Sequence, residues 1–227
     1  MRIGILGSGD VAKSLARGFA GRSDEVRLGT RSGTKADLEA WIRESGLAIR
    51  QANLREATAW AEVVVLSMRG MSNDETLATA GPENFRGKIV IDTTNPLVFA
   101  PNGPPQLGIS GADSAGERVQ RTLPDAKVVK AFNTIGHLHM VHPTFPHPPT
   151  MFLCGNDGPA KGWVGQLLRD FGWSSVVDVG GIEGSRQLES LCVLWVTLGL
   201  RLEDWNIAFR LERRAAPGDG AASTGVK

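Results

Sequence analysis

The chain opens on an apolar run, Met1-Arg2-Ile3-Gly4-Ile5-Leu6, that breaks at once into Gly7-Ser8-Gly9-Asp10-Val11-Ala12. A strand that feeds a GxGxxA turn opening a helix narrows the possible folds more than any other feature here. Gly7 permits the tight turn. Gly9 leaves the backbone open to a diphosphate, because no Cβ stands in the way, and Ala12 lets the helix pack close on the strand. The free N–H groups and the positive end of the helix dipole then favour phosphate charge. Gly7, Ser8, Gly9, Asp10 and Val11 are therefore candidate dinucleotide-binding residues. Asp10 puts an anion beside the expected diphosphate. Its side chain is expected to turn away and cap the helix, or to leave a looser phosphate contact.

The rest of the chain repeats this alternation. Helical spacing covers Asp10–Ala20, and Glu25–Leu28 reads as a second strand stopped by Gly29. Ala36–Glu44 reads as helix, Val63–Ser67 as a β-branched strand, Asn73–Ala80 as helix and Lys88–Asp92 as strand. Strand and helix in turn predict parallel strands with right-handed crossovers. Pro96–Gly116 reads as loop, Ala115–Leu123 as helix and Lys127–Ala131 as strand. Met151–Cys154 and Ser175–Val179 read as strands flanking a helix over Pro159–Phe171, and a long helical pattern fills Glu183–Phe209. The expected fold is a Rossmann-type, doubly wound α/β sheet with a small carboxy-terminal α/β extension and a long terminal helix. Its expected divisions are a dinucleotide-binding domain at 1–136, an extension at 137–211 carrying the acceptor pocket, and a disordered tail at 212–227.

The end of the second strand selects the dinucleotide. An NAD enzyme usually places an acid there, on the ribose 2′-OH. This chain reads Leu28-Gly29-Thr30-Arg31-Ser32-Gly33, with no acid. Arg31 can clamp a 2′-phosphate with two N–H donors. Thr30 and Ser32 add hydroxyls and Lys35 adds charge, so NADP(H) is expected over NAD(H).

Charge excludes other partners. Lys+Arg 25 against Asp+Glu 24 gives a net charge of +1, so no overall field draws the chain to nucleic acid or to an anionic membrane. Leu191–Leu200, the longest mostly apolar stretch, is too short to span a bilayer. With a strand-like run beginning at Arg2, a cytosolic protein is expected. The two cysteines, Cys154 and Cys192, are too few for a disulfide framework or a zinc set. His137-Leu138-His139-Met140-Val141-His142 and His147 lie in a proline-rich segment with no acid or cysteine, so loop histidines are expected rather than a metal site. Arg186 and Glu189, three apart on a helix, read as a surface or interface pair.

With these residues in hand, the chain resembles the family of NADP oxidoreductases that use the deazaflavin coenzyme F420. The resemblance rests on Gly7–Ala12, Thr30-Arg31-Ser32, Val63–Ser67, Asp92-Thr93-Thr94-Asn95-Pro96 and Val129-Lys130-Ala131-Phe132-Asn133-Thr134, with Arg186, Leu188 and Glu189 in the last helix. The TNP and AFNT pieces are also similar to the cytosolic domain of six-transmembrane metalloreductases. The resemblance implies a nicotinamide over the carboxyl edge of the sheet, where open α/β sheets bind ligands. Ser67-Met68-Arg69, Asn95-Pro96 and Asn133-Thr134 would then line it, the two asparagine amides reaching ribose or carboxamide. Ile135, His137, Leu191 and Trp195, with Thr134, would shape a pocket for a deazaflavin or flavin acceptor. Family members often carry Val-Pro or Ile-Pro-Trp where this chain has Met68-Arg69-Gly70-Met71, which leaves the acceptor open. Hydride transfer needs ring alignment rather than a side-chain acid or base, so no catalytic residue is expected. A homodimer acting on a small-molecule acceptor is expected. An NADP(H)-binding sensor without turnover is the alternative. Imine or 3-hydroxy-acid reduction on a similar fold usually needs a larger helical domain than the carboxy-terminal part of this chain.

Overall fold

The computed structural model describes residues 1–100 and 103–214. Strands β1 (Arg2–Leu6), β2 (Glu25–Thr30), β3 (Ile49–Asn53), β4 (Val63–Leu66), β5 (Ile89–Asp92), β8 (Lys127–Lys130), β9 (Thr150–Gly155) and β10 (Ser175–Asp178) form one sheet. Its order is β10-β9-β8-β5-β4-β1-β2-β3. The sequence reverses direction at β1, where the chain steps outward to β2 and β3 and then back to β4. Every pair is parallel except β8–β9, so β9 and β10 run antiparallel to the rest at one edge of one continuous sheet. A separate antiparallel hairpin joins β6 (Leu97–Phe99) to β7 (Pro105–Leu107).

Period-two alternation sends side chains to two cores. Ile3, Ile5, Val63, Val65, Ile91 and Val129 meet Leu15 and Phe19 of α1 (Asp10–Gly21) and Val164 and Leu168 of α6 (Gly158–Asp170). Leu6, Val64, Leu66, Val90 and Val128 meet Ala57 of α3 (Leu54–Trp60), Leu77 of α4 (Asn73–Ala80) and Val119 of α5 (Ala115–Thr122). Strands buried on both faces explain the unbroken apolar runs in β1 and β4. α2 (Ala36–Ser45) packs Leu38 into the first of these cores.

The structure departs from expectation in several places. β3 and α3 were not anticipated: β3 is an edge strand whose IRQAN sequence is half polar, and α3 spans seven residues. The readable signal was the capping box Asn53-x-x-Glu56, in which each residue's side chain accepts from the other's backbone N–H. The loop expected at Pro96–Gly116 contains the β6–β7 hairpin. The last helix, α7 (Ser185–Leu202), ends seven residues early, where Glu203 adopts φ 52°. Beyond it the chain folds back: Trp205 stacks on Trp195 at 5.3 Å, the Trp195 indole N–H donates to the Ile207 carbonyl, and Phe209 accepts from the Thr150 N–H. Tertiary packing thus overrides a helical pattern that local propensity would continue. Residues 212–214 carry no regular structure, and the rest of the tail expected to be disordered, 215–227, lies outside the described residues. Arg186 and Glu189 do not pair with each other, as described below.

Candidate cofactor and acceptor site

Two clefts meet at the carboxyl edge of the sheet, where β1 and β4 diverge from their crossovers. The first, of about 740 Å³, is lined by Gly7–Val11, by Thr30, Arg31, Ser32 and Lys35 after β2, and by Ser67–Arg69 after β4. Gly7 sits at φ 136°, and a Cβ there would lie 2.7 Å from both the carbonyl and hydroxyl oxygens of Ser67, so only glycine fits this turn. The α1 helix starts at Gly9 with no side-chain cap. Its first N–H groups are left for a ligand. Of the two expectations for Asp10, the helix cap is not seen. The Asp10 side chain stays exposed on the cleft wall.

The ledge after β2 places Arg31, Ser32 and Lys35 on the cleft wall. Lys35 Nζ lies 3.2 Å from Ser8 Oγ, bridging ledge and glycine turn. Arg31 Nη1 lies 3.2 Å from Glu75 Oε1, with both side chains exposed. Ser32 Oγ donates to the Thr34 carbonyl. Thr30 Oγ1 is buried and, among the described residues, has no hydrogen-bond partner. An orphaned hydroxyl is costly unless something completes it. That hydroxyl, the uncapped helix start and two cations beside it fit the phosphates of NADP(H).

The second cleft, of about 630 Å³, shares Val11 and Ser67–Arg69 with the first and adds Thr93, Thr94, Asn95 and the β6 residues Leu97–Phe99. Hydroxyls knit its floor. Ser67 Oγ donates to the Leu6 carbonyl and Thr93 Oγ1 to the Leu66 carbonyl. Asn73 Nδ2 donates to Thr94 Oγ1.

Asn95 and Asn133 hydrogen-bond each other. Asn133 Nδ2 donates to Asn95 Oδ1 at 2.9 Å and to the Leu188 carbonyl, and Asn95 Nδ2 donates to the Asn133 carbonyl. Both amide N–H groups of Asn133 are therefore engaged within the protein, as is one of Asn95, which itself lines the second cleft. Pro96, Thr134 and Ile135 are buried, and the Pro96 carbonyl accepts from the Gly108 N–H. His137 begins a short turn at His137–His139. Leu191 lines a separate cleft of about 610 Å³ between α7 and residues 107–113, and Trp195 is packed under the folded-back chain end. The structure thus brings twelve expected residues together in the first cleft and Asn95 in the second, while Leu191 and Trp195 stand apart from both.

Directly behind the second cleft lies a buried charge cluster that the motif reading missed. Lys130 Nζ, fully buried, lies 2.6 Å from Asp92 Oδ2 and 3.1 Å from Glu189 Oε1, and donates to the Thr94 carbonyl. Asp92 Oδ1 accepts from the Thr94 N–H and hydroxyl. Glu189 also accepts the N–H groups of Ala115 and Gly116, at the start of α5. Burial works against charge on Lys130, but the two carboxylates outweigh it and hold its pKa above the ordinary lysine value. The available signal was register: Asp92 and Lys130 close apolar strands directly opposite each other. Arg186 instead pairs with Glu117 on α5.

His139 Nε2 lies 3.1 Å from Asn206 Oδ1 and its ring packs on Phe145. Both cysteines are buried, and burial pushes Cys154 up to about 11 and Cys192 up to about 12. Among the described residues no helix is long and apolar enough to cross a membrane.

An open, mostly parallel sheet with a glycine turn, an uncapped helix and a cationic ledge at its switch point has the architecture of a Rossmann-type, dinucleotide-dependent oxidoreductase. Residues 2–96 match the family described as NADP oxidoreductase, coenzyme F420-dependent. A crystal structure from Arthrobacter sp. FB24, provisionally described as an F420-dependent NADP-reductase, is similar at TM-score 0.89 and 36% identity, over 94% of this chain and 100% of that one. The F420-dependent NADP reductase of Methanocaldococcus jannaschii is 29% identical over 222 residues, 93% of this chain and 98% of that protein. The metalloreductase STEAP3 of Rattus norvegicus is 26% identical over 192 residues, 84% of this chain but 36% of that protein. The chain belongs to the coenzyme F420-dependent family of NADP oxidoreductases, and is an NADP-dependent oxidoreductase.

Proposed function

We propose that this chain passes hydride between NADPH and a deazaflavin of the coenzyme F420 type. The observation that carries the reading is the pair of clefts sharing Val11 and Ser67–Arg69, one walled for phosphates and the other for a ring. The nicotinamide supplies the hydride, and the chain supplies alignment and a dry face. The Gly7–Val11 turn, Thr30, Arg31 and Lys35 hold the phosphate charges. Ser32, Met68 and Arg69 complete the walls. Ser67, Thr93, Thr94 and Asn95 form a rigid polar floor, since their hydroxyls and amide are tied to neighbouring strands. Leu97 and Phe99 keep water from the second cleft. Pro96, Asn133 and Thr134 act from behind the floor through the Asn95 pairing. Ile135 packs in the sheet core, and Leu191 and Trp195 lie on α7 outside the two clefts. Reduction of a deazaflavin by NADPH would also take up one proton at a ring nitrogen, which solvent can supply, so no side-chain acid or base is required.

The exposed Leu194, Leu200 and Leu202 on α7 support a homodimer packed through this helix. The test of function is direct. Purified protein is mixed with NADPH or NADH and with coenzyme F420, FMN or FAD, and absorbance of the reduced nicotinamide is followed. Consumption of NADPH, far faster than NADH and fastest with coenzyme F420, is expected. Tight NADPH binding without turnover on any of the three acceptors would replace this reading with that of a sensor.

A further inference from the structure

We propose that Arg69 recognises an anionic substituent on the hydride acceptor, so that the second cleft selects a ring compound carrying a phosphodiester or carboxylate tail. The inference rests on the two-cleft reading above and names the acceptor chemistry more narrowly.

Among the described residues, Arg69 is the sole ionisable one lining the second cleft. Its walls are otherwise apolar side chains or neutral hydroxyls and amides. No acid of the lining competes for the guanidinium. Among the described residues Arg69 has neither an ion-pair partner nor a side-chain hydrogen bond, and its side chain is exposed. The two cations of the first cleft differ in this, since Lys35 is bonded to Ser8 and Arg31 is paired with Glu75. The phosphate charges of the dinucleotide already have those cations and the α1 start. Arg69 is the cation left over at the junction.

Its base is rigid although its head is free. The Gly70 N–H donates to the Asn95 carbonyl at 3.1 Å and the Ser72 N–H donates to the Arg69 carbonyl at 2.8 Å. A Cβ on Gly70 would lie 2.4 Å from the Asn95 carbonyl carbon, so this segment is seated directly on the β5 turn. The Arg69 Cα is therefore held at the rim shared by both clefts, while four side-chain torsions let its planar fork reach outward. A guanidinium meets carboxylates and phosphates with paired N–H donors, which a neutral ring does not reward.

The test compares coenzyme F420 with the same deazaflavin cut back to its ribityl chain, which lacks the phosphate and everything beyond it. Dissociation constants are measured by calorimetry on protein saturated with NADP⁺, for the natural chain, Arg69→Ala and Arg69→Lys. The expected result is a loss of about tenfold or more in F420 affinity for Arg69→Ala. Arg69→Lys should recover part of it, and the truncated deazaflavin should bind all three proteins alike. Equal losses for both deazaflavins, or a loss confined to NADPH, would overturn the proposal and leave the hydride-transfer reading standing. A natural chain that binds neither deazaflavin overturns both.

Discussion

Lys130 Nζ and Glu189 Oε1 lie 3.1 Å apart with both side chains wholly buried, and this contact pins the last helix to the centre of the sheet. Asp92 on the neighbouring strand completes a cluster of one cation and two carboxylates, and through the Thr94 carbonyl the cation also anchors the floor of the second cleft.

Removing the cation leaves two buried carboxylates without compensation. Lys130→Met should destabilise the fold by about 3–5 kcal/mol, the usual cost of stranding one side of a buried pair. Glu189→Gln, which keeps the shape, leaves Asp92 as partner and should cost less. Urea unfolding of the two variants checks the ranking. A Lys130→Met protein as stable as the natural chain would show that the cluster contributes nothing.

Selectivity for the phosphorylated dinucleotide should sit on the ledge after β2. Arg31→Ala should weaken NADPH binding by about 1.5–3 kcal/mol and leave NADH nearly untouched. Glu75→Gln, which frees Arg31 from a 3.2 Å exposed contact, should tighten NADPH by no more than about 1 kcal/mol. Asp10→Asn should also favour the dinucleotide, because it removes an anion from the cleft wall. Titration calorimetry with both dinucleotides reads all three.

Acid should loosen the start of α5, which Asp113 ties to Arg118 and Arg121, and unfasten its Glu117–Arg186 contact with α7. Some burial raises the Asp113 carboxyl, but hydrogen bonds from Arg118 and Arg121 and the Ser114 N–H bring it down to about 2. The Arg186 guanidinium likewise holds Glu117 below the ordinary carboxylate range. Both groups have folded values below their unfolded ones. Their stabilisation is present above the ordinary carboxylate pKa and is lost as pH falls toward the folded values. Melting temperature should therefore fall between about pH 4 and about pH 2, and more gently in Asp113→Asn, when both are followed by circular dichroism.

The thiols should be silent in the native protein. With values near 11 and 12 and no exposure, Cys154 and Cys192 should not react with a disulfide reagent at neutral pH. Two thiols should appear on denaturation. Fast reaction of either one in the native state would show that α7 opens.

Much of the site was legible because it is local. The turn at Gly7–Ala12 and the ledge at Thr30–Lys35 are short segments whose backbone and charge follow from residue type at fixed spacing. The strands β1, β4 and β5 were legible for a related reason: their apolar runs require burial on both faces. Less was legible where pairing partners decide. β3 is half polar and becomes a strand because β2 offers it a ladder, and α7 stops at Leu202 because Trp205 finds Trp195.

By itself, the amino-acid sequence determined the alternation of most strands and helices, the glycine turn and the cationic ledge. Each of these depends on contacts within a few residues or on a simple alternation. Tertiary structure alone decided that Asn95 and Asn133 spend their amides on each other, that Glu189 turns inward to Lys130 rather than toward Arg186, and that Arg69 stands unpaired between two clefts. Those outcomes join residues tens of positions apart, and no local pattern carries the energy of burying a charge beside a partner that distant in the chain.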